Sequence, residues 1–513
     1  MDGDMAAGAD CPDEPADRAG LSQRVRQEFE AIIGFCLQSD ETFRSFEDSF
    51  RLRLFRLACL LVRLFLAARH ERFDATPSAG WRLGNPAARR TIKTCFGVVS
   101  YARTQWHRKG RGGESHHPLD AELGLTRDGF SPWMIQFVTR LATRMSFAAG
   151  RLVCEAALGW SPSTASVERL ALGLGRQAEA FVRQQAAPEG DGEVLVIEVD
   201  GKCPPTATEE ELRKRRGRRK TKPGGCKCQR HRGQAKRKGR GRRKRRKKGD
   251  KSKNGKEVVV VVMYTLRRGE DGRLHGPLNK RVWASFGNRR GAAVWARAEA
   301  TKRGFGPDTE QTVQVVLDGA SGLKSNMQEQ FPKGVFTIDV CHVVEKLWTL
   351  AHRFHAEGSD ELKSRVEGWK EWLYAGRAAD LVAEFRRLLE QTPVSGPGNK
   401  AKRTALEKTI GYMEPRIGMM KYAEWRARDL VVASGQVEGA VRHLVGERFD
   451  CAGMRWIPGR AEALLHLRCV ELNGDWDEFI AWSEDRFRKR LLNRETVLIR
   501  SNQPLPCGFA TAA

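Results

Sequence analysis

The sequence predicts an α/β domain that is interrupted by a helical insertion and preceded by a mostly α-helical N-terminal region. Apolar residues recur at helical spacing before about residue 190, whereas short β-branched runs follow between residues 191 and 340. The pattern then becomes helical again, and it is rich in Glu, Arg and Leu. The predicted regions are a disordered tail (1–20), N-terminal helices (21–90), a hairpin with helix-turn-helix-like helices (91–190), the first part of the α/β core (191–359) with a basic disordered insert (203–256), a helical insertion (360–432), the last part of the core (433–490) and a tail (491–513).

The N-terminal helices include one strongly apolar stretch, from Leu54 to Ala68. Two arginines interrupt it and it is too short to span a bilayer, so we expect a core helix and no membrane partner. The next predicted element is a hairpin from Thr91 to Trp106.

The segment from Leu152 to Phe181 has the layout of a helix-turn-helix. A helix that ends at Leu158 is followed by Gly-Trp-Ser-Pro, and an amphipathic helix begins after Ser163. Ser or Thr at such a start accepts hydrogen bonds from the first backbone N–H groups. The layout indicates contact with DNA, and an ordinary helical hairpin is the alternative that the spacing leaves open.

Five strands are predicted between residues 191 and 340. With the predicted helices, their order along the chain is β-β-β-α-β-α-β-α, which is that of a ribonuclease-H-like sheet. In such a sheet the first and fourth strands are neighbours. Continuous β-branched runs are typical of central, fully buried strands. The predicted strands are Glu193–Asp200, Glu257–Tyr264, Lys280–Phe286, Thr312–Asp318 and Val335–Val340.

Three carboxylates stand out against this pattern. Asp200 ends the first strand, Asp318 ends the fourth, and Glu438 lies in a later helical context. Burying an unpaired charge costs several kcal/mol, so such carboxylates indicate a cation between them. Hard divalent ions such as Mg²⁺ take oxygen ligands, and two ions roughly 3.5–4 Å apart serve phosphoryl transfer. Each acid alone fits a turn or a solvated helix face. Together they predict a two-metal site.

A basic segment carries most of the formal net charge of +27. From Arg213 to Lys248 there are 22 Lys and Arg residues and no acid. Such a run cannot pack, and phosphate backbones are its natural counter-charge, although a nuclear-localisation-like or solubilising run has the same composition. The predicted nucleic-acid-binding residues are Arg215, Arg216, Arg218, Arg219, Lys220, Arg242, Arg243, Lys244, Arg245, Arg246, Lys247 and Lys248.

The motifs around the three carboxylates resemble those of a known family. Asp200 in Ile-Glu-Val-Asp-Gly, Asp318 in Val-Leu-Asp-Gly-Ala, His342 in Asp-Val-Cys-His and Glu438 in Ser-Gly-Gln-Val-Glu-Gly-Ala are similar to the motifs of DDE transposases. The chain most resembles the Kra-type family of bacterial insertion sequences, which is related to Mutator-like transposases. The resemblance covers about residues 118–482.

This resemblance implies that Asp200, Asp318 and Glu438 are catalytic and bind two Mg²⁺ (or Mn²⁺) ions. Asp339 and His342 match the family's acidic-x-x-His element, which is expected near the active site. A lone His is more often a structural hydrogen-bonding group, and as a functional group His342 would contact the scissile phosphate or position Asp339. Trp456 follows Met-Arg in a loop-like setting, where its ring is available to stack on an unpaired base.

Relatives often carry a cysteine-pair zinc element before Pro-Leu-Asp, but here only His107, His116 and His117 occupy that stretch, so no zinc is expected there. For the cluster Cys226, Cys228 and His231 a loop is favoured over a metal site, because the second ligand pair of a zinc finger is missing.

The function expected from the resemblance is cleavage and strand transfer of an insertion sequence. The partners would be double-stranded DNA, both element ends and target, and further copies of the chain on that DNA. Two alternatives stay open: a ribonuclease-H-like nuclease acting on RNA or branched DNA, and an inactive or regulatory helix-turn-helix DNA-binding protein. Scattered cysteines and the lack of a secretory signal lead us to expect a cytoplasmic, nucleoid-associated protein.

Overall fold

The computed structural model describes residues 17–72, 75–77, 80–108, 110, 115–213, 255–319, 321–451, 454–492 and 497–499. The chain divides into two compact units, Met1–Phe181 with Asp475–Ala513, and Val182–Gly474. Residues 214–254 lie outside the described part of the chain. The basic cluster predicted to bind nucleic acid and the cysteine pair in the insert therefore have no structural description.

The first unit is mostly helical, as predicted. Numbered in chain order, its helices are α1 (Arg18–Gln38), α2 (Phe43–Arg72), α3 (Pro118–Glu122), α4 (Pro132–Arg144), α5 (Phe147–Leu158), α6 (Thr164–Gln184, whose last residues belong to the second unit) and α17 (Trp476–Leu492). Its strands are β1 (Ala75–Pro77), β2 (Trp81–Leu83), β3 (Ala88–Thr94), β4 (Gly97–Arg103), β5 (Trp106–Arg108), β6 (Ser115–His116) and β12 (Val497–Ile499).

The predicted hairpin is confirmed as the antiparallel pair β3 and β4. The described residues include two structured elements within the predicted tails, the start of α1 and the strand β12. Helix α1 begins at Arg18 because the side chain of Asp17 accepts a hydrogen bond from the N–H of Gly20 at 2.8 Å. Near the other end, β12 pairs antiparallel with β1, a long-range pairing that a three-residue strand does not reveal in sequence.

Helices α5 and α6 are joined by a glycine-containing turn, which fits both the predicted helix-turn-helix and its alternative, an ordinary helical hairpin. Gly159 follows α5 in the left-handed conformation, with φ of +73°. Ser163 then caps α6, since its hydroxyl accepts a hydrogen bond from the N–H of Ser166 at 3.2 Å. Contact with DNA by this unit stays a prediction.

The apolar stretch in α2 is only partly a core helix. Cys59, Leu60 and Leu66 are buried, but Leu54 and Leu61 are 41% and 46% exposed. Helix α2 packs on a small hydrophobic core with one face only. Apolar side chains on its other faces therefore stay exposed. No helix in the described residues is both long and apolar enough to cross a membrane.

The C-terminal helix α17 belongs to the first unit, whereas the sequence analysis placed residues 433–490 in the catalytic core. The ring of Phe181 lies 5.3 Å from that of Phe479 and 5.6 Å from that of Trp482. This aromatic packing joins α17 to α6, although almost 300 residues of sequence separate them. Local sequence patterns do not predict contacts over such a separation.

The second unit is built on a mixed five-stranded sheet in the order β11-β10-β7-β8-β9. The strands are β7 (Val194–Lys202), β8 (Val258–Arg268), β9 (Leu274–Ser285), β10 (Thr312–Leu317) and β11 (Val335–Ile338). Strands β7, β10 and β11 run parallel, while β8 is antiparallel to both β7 and β9. The predicted strand order along the chain and the predicted adjacency of the first and fourth strands are both confirmed.

Helices surround this sheet and fill the predicted insertion. They are α7 (Arg289–Lys302), α8 (Ser321–Gln330), α9 (Val340–Ala351), α10 (Asp360–Tyr374), α11 (Ala378–Gln391), α12 (Asn399–Met413), a 3₁₀ helix (Glu414–Met419), α13 (Tyr422–Ala427), α14 (Gly435–Val441), a π-helical turn (Arg442–Gly446), α15 (Glu447–Phe449) and α16 (Pro458–Asn473). Helices α10 to α13 form the insertion, and α14 carries Glu438.

Candidate metal centre

Three aspartates occupy equivalent positions at the carboxyl ends of the parallel strands. Leu317 in β10 pairs with Val199 in β7 and with Ile338 in β11. The next residues along these strands are therefore Asp318, Asp200 and Asp339, one from each strand. Because parallel strands end at the same edge of a sheet, the fold brings these acids together from positions up to 139 residues apart.

The middle acid is still part of its strand. Strand β10 ends at Leu317, level with Val199, but β7 continues to Lys202. In this last part of β7, Asp200 pairs with Val260 of the antiparallel strand β8. Its side chain is half-buried, as is that of Asp318. Both predicted metal-binding aspartates thus lie at the same sheet edge.

Helix α14 brings Glu438 to this edge. The buried carboxylate of Glu198, two residues before Asp200, accepts a hydrogen bond from the backbone N–H of Val437 at 2.8 Å. Its other oxygen accepts a bond from the hydroxyl of Tyr264 at 2.7 Å. The sheet therefore holds the first turn of α14 directly.

Asp339, His342 and Glu438 form the tightest group of potential metal ligands in the described part of the chain. One ligand atom from each lies within 4.8 Å of the other two. Nδ1 of His342 is 3.0 Å from Oδ2 of Asp339, and that same oxygen accepts a 2.5 Å hydrogen bond from the hydroxyl of Ser434. Asp339 is fully buried, His342 half-buried and Glu438 exposed. The group is therefore accessible to solvent on the side of Glu438.

The pKa values reflect this crowding of acids. Burial raises the pKa of Asp200, and the charges of Asp318 and Asp339 raise it further. Burial and the charge of Asp339 likewise raise the pKa of Glu438. Without a cation nearby, ionisation of both carboxyl groups at the same time is therefore unfavourable.

Asp339 behaves in the opposite way. Burial by itself would raise its pKa, but hydrogen bonds from His342 and Ser434 bring it below the ordinary value. The hydrogen bond to Asp339 in turn raises the pKa of His342 to about 9. Asp339 is therefore the acid of this group that the protein itself keeps ionised.

These three side chains could hold a divalent cation, with His342 as a ligand only in its neutral form. Two carboxylates and an imidazole converge from β11, α9 and α14, and Asp200 is near enough to influence Glu438 electrostatically. Carboxylate oxygens suit Mg²⁺ and Mn²⁺, while an imidazole ligand suits Mn²⁺ and other transition ions better than Mg²⁺. The close group differs from the predicted ligands Asp200, Asp318 and Glu438, of which it contains only Glu438.

The helical insertion holds the backbone beside Asp318. The hydroxyl of Tyr412 donates to the carbonyl of Asp318 at 3.1 Å, and Arg416 donates twice to the carbonyl of Gly319, at 2.6 and 3.0 Å. Gly319 has φ of +89°, and a Cβ there would lie 2.7 Å from the Tyr412 hydroxyl. The insertion is thus part of what shapes the site.

Trp456 lies in a packed setting. Its indole N–H donates to the carbonyl of Phe449 at 3.1 Å, and its ring contacts the ring of Phe449 and the guanidinium of Arg448. Its backbone N–H donates to Pro205, which ties it to the chain that follows β7. Stacking of this ring on a base stays a prediction.

Two residues of this site, Glu198 and Ser434, were not predicted from the sequence. A signal for the first exists in the sequence, because residues two apart on a strand share a face, and Glu198 is an acid within an otherwise apolar buried run. Ser434 has no comparable signal, since its partner Asp339 is 95 residues away.

No protein-family model matches the sequence, and no curated protein is significantly similar to it.

Proposed function

We propose that this chain is a transposase of the DDE type, which cleaves and joins DNA by metal-dependent phosphoryl transfer. The observation that carries the proposal is the meeting of Asp200, Asp318 and Asp339 at one sheet edge with Glu438 from α14. Such a cluster of acids is stabilised by divalent cations, which supply charge neutralisation and an activated oxygen nucleophile for phosphoryl transfer.

Each residue has a proposed role. Asp200, Asp318 and Glu438 would hold two Mg²⁺ or Mn²⁺ ions, and Asp339 would share in binding them through its close contact with Glu438. His342 bonds to Asp339 and would keep it oriented. The helix-turn-helix of α5 and α6 would recognise the element ends, and the basic insert would add sequence-independent affinity for DNA.

The experiment uses the purified full chain and DNA from the two flanks of its own gene, with Mg²⁺ or Mn²⁺. We expect cleavage at the element ends and joining of the freed 3′ end to a target plasmid. Asp200→Asn, Asp318→Asn and Glu438→Gln should abolish cleavage while leaving DNA binding unchanged. Cleavage by any of these variants at the wild-type rate would remove that residue from the proposed site.

The same experiment separates the rival functions. Cutting without joining, or preference for an RNA–DNA hybrid, would indicate a nuclease. Metal-independent binding with no cutting at either ion would indicate a regulatory DNA-binding protein.

Metal binding is tested separately. We expect Asp339→Asn and Glu438→Gln each to weaken Mn²⁺ binding at least about tenfold in calorimetry, because each removes a charged oxygen ligand from the close group. Glu345→Gln is a control of equal charge change, since Glu345 lies on the same helix as His342 but outside the close group. Equal affinity in all three variants would contradict metal binding at this group.

A further inference from the structure

A basic cleft lies between α9 and the insertion helix α12. Its volume is about 790 Å³, and it is lined by Lys346, Thr349, Arg353, Gly398, Lys400, Ala401, Thr404, Ala405, Lys408, Thr409 and Tyr412. The lining contains four cationic side chains and no acidic one. Clefts that concentrate one sign of charge bind ligands of the opposite sign.

The four cations Lys346, Arg353, Lys400 and Lys408 form no ion pair with any acid in the described residues. Elsewhere in this unit exposed cations are commonly paired, as Lys370 is with Glu367 and Arg377 with Asp380. Four like charges that face one cleft repel each other, so their arrangement is favourable when an anion is bound between them.

Two of the cations lie on one face of α12 with two other lining residues. On α12, Lys400, Thr404, Lys408 and Tyr412 recur every four residues and so lie on one face. The distance from the first to the last is roughly 18 Å along the helix axis, at 1.5 Å per residue. This equals the rise of about five nucleotides in one strand of a duplex, at 3.4 Å each.

One end of the cleft lies beside the backbone of Asp318. Tyr412 lines the cleft, and its hydroxyl donates to the backbone carbonyl of Asp318. The opposite wall, α9, begins one residue after Asp339. A chain of phosphates lying in the cleft would therefore continue to the acidic cluster.

We propose that this cleft binds the sugar–phosphate backbone of a single nucleic-acid strand, next to the phosphate that reacts at the acidic cluster. The two walls of the cleft pack on each other, and a volume of about 790 Å³ is too small to enclose a duplex, so the proposed occupant is one strand. The hydroxyl of Thr404 adds a neutral donor for phosphate oxygens, whereas those of Thr349 and Thr409 donate to backbone carbonyls of their own helices. The inference rests on the proposed function, because it assigns a strand of that substrate.

The test is fluorescence anisotropy with a labelled single-stranded DNA oligonucleotide, performed on the full chain in EDTA over a range of salt concentrations. The variant Lys400→Gln/Lys408→Gln removes two cations from the cleft and keeps good helix formers at both positions. The control, Lys333→Gln/Lys421→Gln, removes two exposed cations of the same unit that do not line the cleft.

We expect the cleft variant to reduce the slope of log affinity against log salt by about 1.4, since each phosphate contact on a single strand contributes roughly 0.7. The control should keep the wild-type slope. Hydrogen exchange in Val340–Ala351 and Asn399–Met413 should slow when the oligonucleotide binds wild type. Equal slopes for the cleft variant and wild type, or equal losses in variant and control, would overturn the proposal.

Two further results would also overturn it. One is a cleft variant that loses binding to phosphatidylserine vesicles but keeps its affinity for the oligonucleotide, because the occupant would then be a membrane surface. The other is wild type that fails to bind the oligonucleotide at all.

The metal-free assay is independent of chemistry. If wild type cannot cut DNA but the cleft variant still binds more weakly, the proposed function fails and the cleft stands. If wild type cuts DNA and the cleft variant binds as wild type does, only the cleft fails.

Discussion

The carboxylate of Glu198 accepts the backbone N–H of Val437, the residue before Glu438, at 2.8 Å. This bond joins the central strand of the sheet to the helix that carries the last acid of the site. Glu198 is fully buried, and burial raises the pKa of its carboxyl group. Burying a carboxyl group costs free energy. Its use to hold the first turn of α14 therefore indicates that the position of this turn is important.

Glu198→Ala should destabilise the protein and loosen the metal centre together. The change leaves the Tyr264 hydroxyl and the Val437 N–H without their acceptor, at a cost of about 3 kcal/mol in the free energy of unfolding. Urea denaturation measures this cost, and Mn²⁺ calorimetry measures the loosening. Tyr264→Phe is the control, because it removes only the other partner of Glu198. Wild-type Mn²⁺ affinity in folded Glu198→Ala would show that this bond does not position Glu438.

Gly319→Ala should displace the loop after Asp318. The residue has φ of +89°, and an added Cβ would lie 2.7 Å from the Tyr412 hydroxyl. The backbone strain alone costs roughly 1–2 kcal/mol. We expect a lower thermal midpoint and weaker metal-dependent cleavage. The double variant Gly319→Ala/Tyr412→Ala separates the two causes, since it relieves the contact but not the strain. A midpoint equal to that of wild type in the single variant would contradict both.

Asp191→Asn should destabilise the second unit in a pH-dependent way. Arg303, whose side chain is fully buried, donates to both carboxylate oxygens of Asp191, at 2.6 and 2.9 Å. Burial by itself would raise the pKa of Asp191, but the bonds from Arg303 and Asn279 lower it overall. Neutralising this acid leaves a buried guanidinium uncompensated, which costs about 3 kcal/mol.

The sign of the pH effect follows from that lowered pKa. The stabilisation is complete above the unfolded-state pKa of about 4 and is lost as the pH falls through the lower folded-state value. The difference in unfolding free energy between wild type and Asp191→Asn should therefore be constant near neutral pH and shrink below about pH 4. A difference that grows on acidification would show that the pair does not lower the pKa of Asp191.

Replacing residues 213–248 with a Gly/Ser linker of equal length should flatten the salt dependence of duplex DNA binding. The segment carries 22 cations, and each phosphate that they neutralise contributes roughly 0.9 to the slope. Urea denaturation should give an unchanged midpoint, because the segment has too few apolar residues to add to a core. An unchanged salt slope would contradict a role for this segment in DNA binding.

Local patterns in the sequence determined the secondary structure well. The β-branched runs of β7, β8 and β10 have the composition of buried strands, and Gly159 and Ser163 mark the turn between α5 and α6 by their own conformational preferences. The convergence of Asp200 and Asp318 was also predictable, because neighbouring parallel strands end at one edge.

The tertiary structure alone decided which side chains meet. Ser434 reaches Asp339 across 95 residues and Val437 reaches Glu198 across 239, and neither contact leaves a periodic trace in the chain. The same holds for α17, which aromatic packing on Phe181 assigns to the first unit. The physical reason is that spacing and propensity act over a few residues, whereas metal ligands and helix anchors depend on how whole elements pack.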